Sequence, residues 1–394
     1  MTESAIGTAR PYVTALVDEL TTTGAIRTAA WAGAFAAVPR HTFVPRWYEQ
    51  ETNDKGITVW RLQHALHEER IARVCRDTTL VTALDPDTAE RVDKDAWTGI
   101  PTSSSTQPSL MAGMLEDLAV EDGNRVLEVG TGTGYNAALL CARLGEQFVY
   151  SVDVDTNLVD AAQRRLSSIG YEPQLAPADG RKGYPTGDQF DRVIATCSVP
   201  NIPAPWIEQT RPGGAIVADV ALGIEGGLVR LTLDAGQRAQ GRFTATSGRF
   251  MAARGDAQTY PQRERAPYAP EAGTRPTKVT AADIRGYYPF RLLLAFHLPG
   301  ADLVYHCDEA TGTMSVQLQH SDGSWARVPM TGERVNTVTY GGASEIWEQV
   351  DAAWKWWNDA GRPAQEQFGY AREPDGHASV WHIPDGRRWN IGGQ

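Results

Sequence analysis

Between residues 110 and 118 the apolar side chains fall at Leu110, Met111, Met114, Leu115 and Leu118, spaced to lie along one face of a helix. Pro108 suits the first turn, so a helix starting near Thr106 and packing on a sheet is expected. Val13, Leu16, Val17 and Leu20 repeat that period and Gly24 offers a stop, so residues 10–38 read as one or two amphipathic helices. Downstream the period changes. Short apolar runs at residues 125–129, 148–153, 174–177, 191–196 and 215–219 alternate with helical stretches, the pattern of a doubly wound, parallel α/β sheet. Runs at 228–233 and 242–250 have no helix between them and are expected to finish the sheet as an antiparallel pair.

Two stretches interrupt the pattern. Residues 46–98 are polar and charge-rich, with one strand expected at 78–84, a turn at 85–87 and no assignable function. Residues 254–278, rich in Pro, Arg and Gly, read as a linker. Beyond them come a strand near 315–319 and a helix over 344–360, closed by Gly361 and Pro363. The expected organisation is an N-terminal helical cap with an insertion (1–100), the α/β domain (101–253), the linker, and a C-terminal α+β accessory domain (279–394). The accessory part holds Trp325, Trp347, Trp354, Trp356, Trp357, Trp381 and Trp389. Trp347, Val350, Trp354 and Trp357 share a helical face, which is either core or a peptide-binding platform.

Composition narrows the function. A chain of 394 residues is long enough for two or three domains, and no run of about 18 apolar residues could span a bilayer. No membrane is expected as a partner. The first residues, MTESAIGTARPYV, lack the basic and apolar segments of a secretory signal, so the cytoplasm is the expected location. Cys75, Cys141, Cys197 and Cys307 form no CxxC pair, which argues against a disulfide framework or a zinc site. His64 and His67, beside Glu68 and Glu69, read as a solvated helix face; His297 and the isolated His306-Cys307 suggest no metal site either. A net charge of -11 would repel a phosphate backbone, so nucleic acid is not expected. Oligomeric state is not fixed by any of these features.

The sharpest motif is VLEVGTGTGYN at residues 126–136. Gly130, Gly132 and Gly134 alternate in GxGxG spacing, whereas a dinucleotide fold needs GxGxxG to face a pyrophosphate. A cofactor without phosphate, S-adenosylmethionine, fits better. Its methionine and ribose could approach a backbone bare of Cβ atoms, and Glu128 would place negative charge near its sulfonium. Asp153, about 20 residues on, suits ribose hydroxyls, and Asp155 suits a helix cap. Asp179-Gly180 either contacts the adenine or is simply a turn.

These residues resemble a known family. VLEVGTGTGYNAALL, YSVDVD, PADG, FDRVIATCSVPNIP and RPGG are similar, in order, to the motifs of protein-L-isoaspartate (D-aspartate) O-methyltransferases, as are VPRHTFVP (38–45) and SSTQPSLMAGML (104–115). The resemblance covers residues 30–250 around the insertion. It implies a seven-stranded class I (Rossmann-like) methyltransferase fold, S-adenosylmethionine as donor, and an aspartyl or isoaspartyl carboxylate of a protein or peptide as acceptor. By position it implies cofactor contacts from Ser103, Ser104, Glu128, Gly130, Thr131, Gly132, Gly134, Asn136, Asp153, Val154, Asp179, Gly180 and Thr196. Ser105 and Thr106 would serve the transfer step.

Thr106 stands where the family has serine, and its hydroxyl either orients the acceptor or caps the following helix. The long tail resembles an actinobacterial branch associated with ribosomally made modified peptides such as lanthipeptides and graspetides. There, the methyl ester would collapse to a succinimide and isoaspartate. The alternatives are a small-molecule O- or N-methyltransferase and a non-catalytic peptide-binding scaffold. A DNA adenine methyltransferase would need (Asp/Asn)-Pro-Pro-aromatic where this chain reads ATCSVP.

Overall fold

The computed structural model describes residues 3–52, 56–65, 68–255, 265–330, 336–342 and 345–392. The chain forms two compact units. The first comprises Met1–Cys197, Pro203–Ala218 and Phe250–Tyr260; the second comprises Ser198–Ile202, Asp219–Arg249 and Pro261–Gln394.

The first unit opens with three helices, α1 (Glu3–Thr22), α2 (Ala29–Ala37) and α3 (Arg40–Phe43). Leu16 and Leu20 of α1 are buried, as are Trp31 and Phe35 of α2, while intervening residues such as Asp18 and Glu19 face solvent. Thr28 caps α2 by accepting from Trp31 N.

The insertion is more ordered than its sequence suggests. It builds β1 (Arg46–Thr52), β2 (Thr58–His64), α4 (Glu68–Val74), β3 (Leu80–Leu84), β4 (Arg91–Asp93) and β5 (Ala96–Trp97), and β6 (Pro101–Ser105) follows. These strands make one sheet in the order β4-β5-β2-β1-β3-β6. The single strand expected at 78–84 is β3, one of six. The others escaped notice because β1 and β2 bury only one residue each, Trp47 and Val59, which leaves no apolar alternation. The turn at 85–87 is present, with Asp85 accepting from Asp87 N.

Helix α5 (Pro108–Leu118) starts two residues later than expected and buries Met111, Met114, Leu115 and Leu118. The α/β core follows as β7 (Val126–Val129), α6 (Tyr135–Leu144), β8 (Val149–Asp153), α7 (Thr156–Ser167), β9 (Gln174–Pro177), β10 (Phe190–Val199), α8 (Ala204–Glu208) and β11 (Thr210–Ala221). The order is β11-β10-β7-β8-β9. β7 pairs parallel with β10 and β8, and β8 parallel with β9. The strands follow the expected runs closely except β10, which continues to Val199, and β11, which is longer at both ends. Val129 pairs with Val152 and Asp153 with Pro177, so the turns after β7, β8 and β9 emerge along one edge. Asp155 caps α7 as expected, accepting from Asn157 N at 2.9 Å.

In the second unit, β12 (Gly226–Leu233) and β13 (Ala239–Phe243) are antiparallel, as expected, although β13 ends at Phe243 instead of continuing to 250. Within the stretch read as a linker, β14 (Glu271–Thr277) is a strand. Its side chains are largely exposed, which explains the missing apolar period. The remaining elements are α9 (Ala281–Gly286), α10 (Tyr288–His297), β15 (Asp302–Cys307), β16 (Met314–Gln319), β17 (Trp325–Pro329), β18 (Asn336–Gly341), α11 (Ile346–Asp359), β19 (Phe368–Arg372), β20 (Ala378–His382) and β21 (Arg388–Gly392). β14-β18-β17-β16-β15 form a five-stranded sheet, and β13 continues through β19 and β20 to β21. α11 is the expected helix; Ser344, where its start was placed, lies outside the described residues. Trp347, Val350 and Trp357 are buried, so this helical face is core.

One side chain ties the insertion to the strand before α5. Arg40 is 1% exposed. Its Nη1 donates to the carbonyls of Val74 (2.8 Å) and Arg76 (3.0 Å), and its Nη2 to those of Thr78 (2.9 Å) and Thr106 (3.0 Å). Its Nε reaches Ser105 Oγ at 3.3 Å. All five N–H donors of the guanidinium are thereby used. Replacing Arg40 by Met should leave buried carbonyls without donors and cost about 3 kcal/mol or more. Chemical denaturation measures the loss, and hydrogen exchange should accelerate at residues 74–78 and 103–106; unchanged exchange there would contradict this role.

Candidate functional site

The site begins with the turn between β7 and α6. Gly132 has φ +52°, the left-handed region that side chains disfavour, and a Cβ built on it would lie 3.9 Å from Ser104 O and 4.0 Å from Ser103 Oγ. The apex of the glycine loop therefore faces β6. Gly130 is held from the other side, its carbonyl accepting from the Thr196 hydroxyl at 2.7 Å. Thr196 is thus engaged with the loop's backbone. Gly134 occupies the cap position of α6 beside Ala162.

Beneath the loop runs a buried chain of hydrogen bonds. Asn136 Nδ2 donates to Glu128 Oε1 at 2.8 Å, and Ser151 Oγ donates to Glu128 Oε2 at 2.5 Å. Since Ser151 gives its only proton to Glu128, the 2.6 Å contact between Thr131 and Ser151 has Thr131 as donor. Glu128 is fully buried. It braces the loop from below, and any influence on a ligand above the loop is electrostatic. Burial pushes its carboxyl up to about 7, against the hydrogen bonds from Ser151 and Asn136.

Asp153 closes β8, and its Oδ2 accepts from Gly132 N at 2.9 Å while Oδ1 accepts from Asp155 N at 3.1 Å. Burial raises its pKa, and these two N–H groups oppose the rise. Val154 follows, half-buried. Asp179 caps a short 3-10 turn and is gripped by Arg181 through two 2.9 Å hydrogen bonds. Burial acts upward on its carboxyl, but the hydrogen bonds and charge of Arg181 prevail and hold it below the usual range. Gly180 is buried, and a Cβ there would come within 2.5 Å of Val129 Cγ1 and 3.1 Å of Val152 Cγ1. The Asp179-Gly180 pair is accordingly a turn, set where the three strand ends converge. Trp206, which the sequence did not single out, fixes it by donating from Nε1 to Gly180 O at 2.7 Å.

The segment expected to serve the transfer step lies on β6 and ends just beyond it at Thr106. Ser103 and Ser105 are buried and Ser104 is half-buried. Ser103 Oγ accepts from Thr82 on β3 at 3.0 Å, while Ser105 Oγ accepts from Arg40. Ser105 is therefore a structural partner of Arg40. Thr106 is half-buried, and among the described residues its hydroxyl makes no hydrogen bond. It does not cap α5: the cap position is Gln107, and the helix N-terminus is served by Asp77, whose Oδ1 accepts from Ser109 N at 2.8 Å. Asp77 Oδ2 also accepts from Gln107 Nε2. Arg40, Asp77 and Thr82 could not be assigned here from sequence because their partners lie about 20 to 65 positions away.

Among the described residues no group of three His, Cys, Asp or Glu side chains could hold a metal. His67 lies outside the described residues. His297 is half-buried, and desolvation with the charge of Arg387 brings its imidazole down to about 4. Among the described residues no helix is long and apolar enough to cross a membrane.

A parallel strand, a glycine turn set against β6 and a carboxylate on the neighbouring strand are the arrangement of the class I methyltransferase (Rossmann-like) fold. A model of the protein-L-isoaspartate(D-aspartate) O-methyltransferase family matches residues 12–246, and the chain belongs to that family. The protein-L-isoaspartate O-methyltransferase of Thermococcus onnurineus is 39% identical over 115 residues, 29% of this chain and 52% of that protein. Protein-L-isoaspartate O-methyltransferase 1 of Syntrophobacter fumaroxidans is 30% identical over 173 residues, 43% of this chain and 80% of that one. The chain thus spans about half of the first relative and four-fifths of the second. A solved protein-L-isoaspartate O-methyltransferase superposes with a TM-score of 0.52 at 21% identity, covering 93% of this chain and 98% of its own, a likeness of fold.

Two measurements probe the loop. The native Glu128 pKa, about 7, exceeds the unfolded value near 4.5, so its contribution to stability is complete below about pH 4.5 and is lost as pH rises through 7. Glu128→Gln should remove that dependence, gaining about 2–3 kcal/mol relative to the parent between pH 5 and 8. Parallel stability curves for the two proteins would refute the assignment. Gly180→Ala should destabilise by about 1–3 kcal/mol through overpacking. Gly132→Ala should mainly weaken S-adenosylmethionine binding in calorimetry.

Proposed function

We propose that this chain transfers a methyl group from S-adenosylmethionine to the carboxylate of an aspartyl or isoaspartyl residue in a protein or peptide. The observation that carries this reading is the approach of Gly132 to Ser103 and Ser104, which sets the donor loop against β6. Cofactor contacts are assigned to the loop backbone around Gly130, Thr131, Gly132 and Gly134, to Asp153 for the ribose hydroxyls, and to the turn at Asp179 and Gly180 for the adenine. Glu128, Asn136 and Thr196 act behind the loop. Ser103, Ser104 and Thr106 border the acceptor.

The chemistry asks little of a base. A side-chain carboxyl with a solution pKa of about 4 is ionised at neutral pH and already nucleophilic. What the protein must supply is alignment of the acceptor oxygen, methyl carbon and sulfur, with water kept out. Thr106, freed from capping by Asp77, has its hydroxyl available to orient the carboxylate. The extra methyl of threonine narrows the place where the family carries serine.

The finer reading is that the acceptor is a ribosomally made modified peptide whose methyl ester collapses to a succinimide and then to isoaspartate. The long chain with its second unit supports it.

Methyl transfer to an isoaspartyl peptide, its aspartyl counterpart and small carboxylic acids can be followed together, with mass spectrometry detecting ester or dehydrated product. Modification of small acids alone would favour a small-molecule methyltransferase. Thr106→Val should lower turnover about tenfold or more, with cofactor affinity nearly unchanged and Thr106→Ser active. Full activity of Thr106→Val would remove this residue from the mechanism.

A further inference from the structure

Residues 250–255 belong to the first unit. Arg254 Nη2 donates to the carbonyl of Thr102 at 3.3 Å, on β6 immediately before Ser103. The backbone at Gly255 packs on the Arg181 guanidinium so closely that a Cβ there would collide with it, and Arg181 is the residue that grips Asp179. One short segment thus touches both the acceptor strand and the turn after β9. The charge of Arg254 also counters the burial of Asp153.

The charge balance gives Arg254 a task. Of the three carboxylates around the loop, Asp179 is neutralised by Arg181 and Glu128 is enclosed by Ser151 and Asn136. Asp153 accepts from the backbone N–H groups of Gly132 and Asp155. An anionic acceptor approaching Ser103 and Ser104 would meet the field of Asp153. Arg254 is a cation anchored on the same strand.

We propose that Arg254 is a specificity-determining residue of the acceptor site, its guanidinium receiving the acceptor carboxylate beside Ser103 and Ser104. This rests on the carboxyl-methyltransferase reading. In the transfer, the carboxylate oxygen forms a bond to the methyl carbon while the carbon–sulfur bond breaks with its electron pair left on sulfur. Sulfonium and carboxylate become neutral thioether and neutral ester, and Arg254 neither gains nor loses a proton. The ester offers the guanidinium no charge, so the same residue that recruits the acid releases the product.

The test compares the full-length parent with Arg254→Gln and Arg254→Lys. Arg254→Gln should raise the KM for a carboxylate peptide about tenfold, with S-adenosylmethionine affinity within about twofold, and should flatten the salt dependence of KM. Arg254→Lys should recover most of the loss. Unchanged KM, or a loss of cofactor affinity equal to the rise in KM, would overturn the proposal. A binding comparison separates this from the functional reading: the parent should hold the free-acid peptide more tightly than its methyl ester, and Arg254→Gln should lose that preference. If the parent transfers no methyl to any carboxylate peptide, the functional reading falls. A preference for acid over ester that survives Arg254→Gln, or is absent from the parent, overturns the role of Arg254.

Discussion

A single buried guanidinium decides where the acceptor strand lies. Arg40 meets the carbonyls of Val74, Arg76, Thr78 and Thr106 and the hydroxyl of Ser105, gathering a helix end, a loop and a strand end around one charge. Burying a cation is expensive, and burial lowers the pKa of this one. The saturated ring of acceptors offsets the cost, and no shorter side chain could reach all of them. Because Thr106 is held by its carbonyl, its hydroxyl is left for other work. The same geometry explains why Asp77, delivered by the insertion, can serve the N-terminus of α5.

The three acidic residues around the glycine loop show how environment divides one functional group into separate tasks. Glu128 is enclosed and titrates near neutrality, so it is a brace whose charge is costly. Asp153 is tied to the loop by Gly132 N and joins β8 to the glycine turn. Asp179 is paired with Arg181 and is the most firmly ionised. A cationic donor would gain most from Asp153, since Asp179 is neutralised by Arg181 and Glu128 is partly protonated near neutral pH, and an anionic acceptor would gain from none of them. The site must therefore present a different chemical face to each substrate, and β6 supplies the second face.

The glycine-loop half of the candidate site was legible in the sequence, and the contacts that position the β6 half were not. The strands at 125–129 and 148–153 announced themselves because interior strands of a parallel sheet are buried on both faces, the half-exposed edge strand at 174–177 followed from its place in the alternation, and their turn residues carry the glycines and acids at short spacing. The helix caps at Asp155 and the antiparallel pairing of β12 with β13 followed from equally local signals. The insertion hid its sheet because its strands bury few residues, and Thr106 looked like a cap because the true partner, Asp77, is 32 positions from Ser109. Arg40 lay in a quoted motif, yet nothing local marks an arginine for burial. In the second unit, β14 was taken for a linker because its side chains face outward.

The pairing of β3 with β6 has a consequence for how such a protein could change. Leu80 pairs with Ser105 and Val81 with Ser104, and irregularities near Ala83 shift the ladder before it reaches Pro101. Side chains alternate along a strand, so a slip of one residue in β6 against β3 would turn Ser103 and Ser105 outward and Ser104 inward. Lengthening the outer strands β4 and β5 would leave that alternation alone. Parity in this one short strand is thus a heritable dial for the side chains presented to the glycine loop, one that can be turned without editing a residue of that loop.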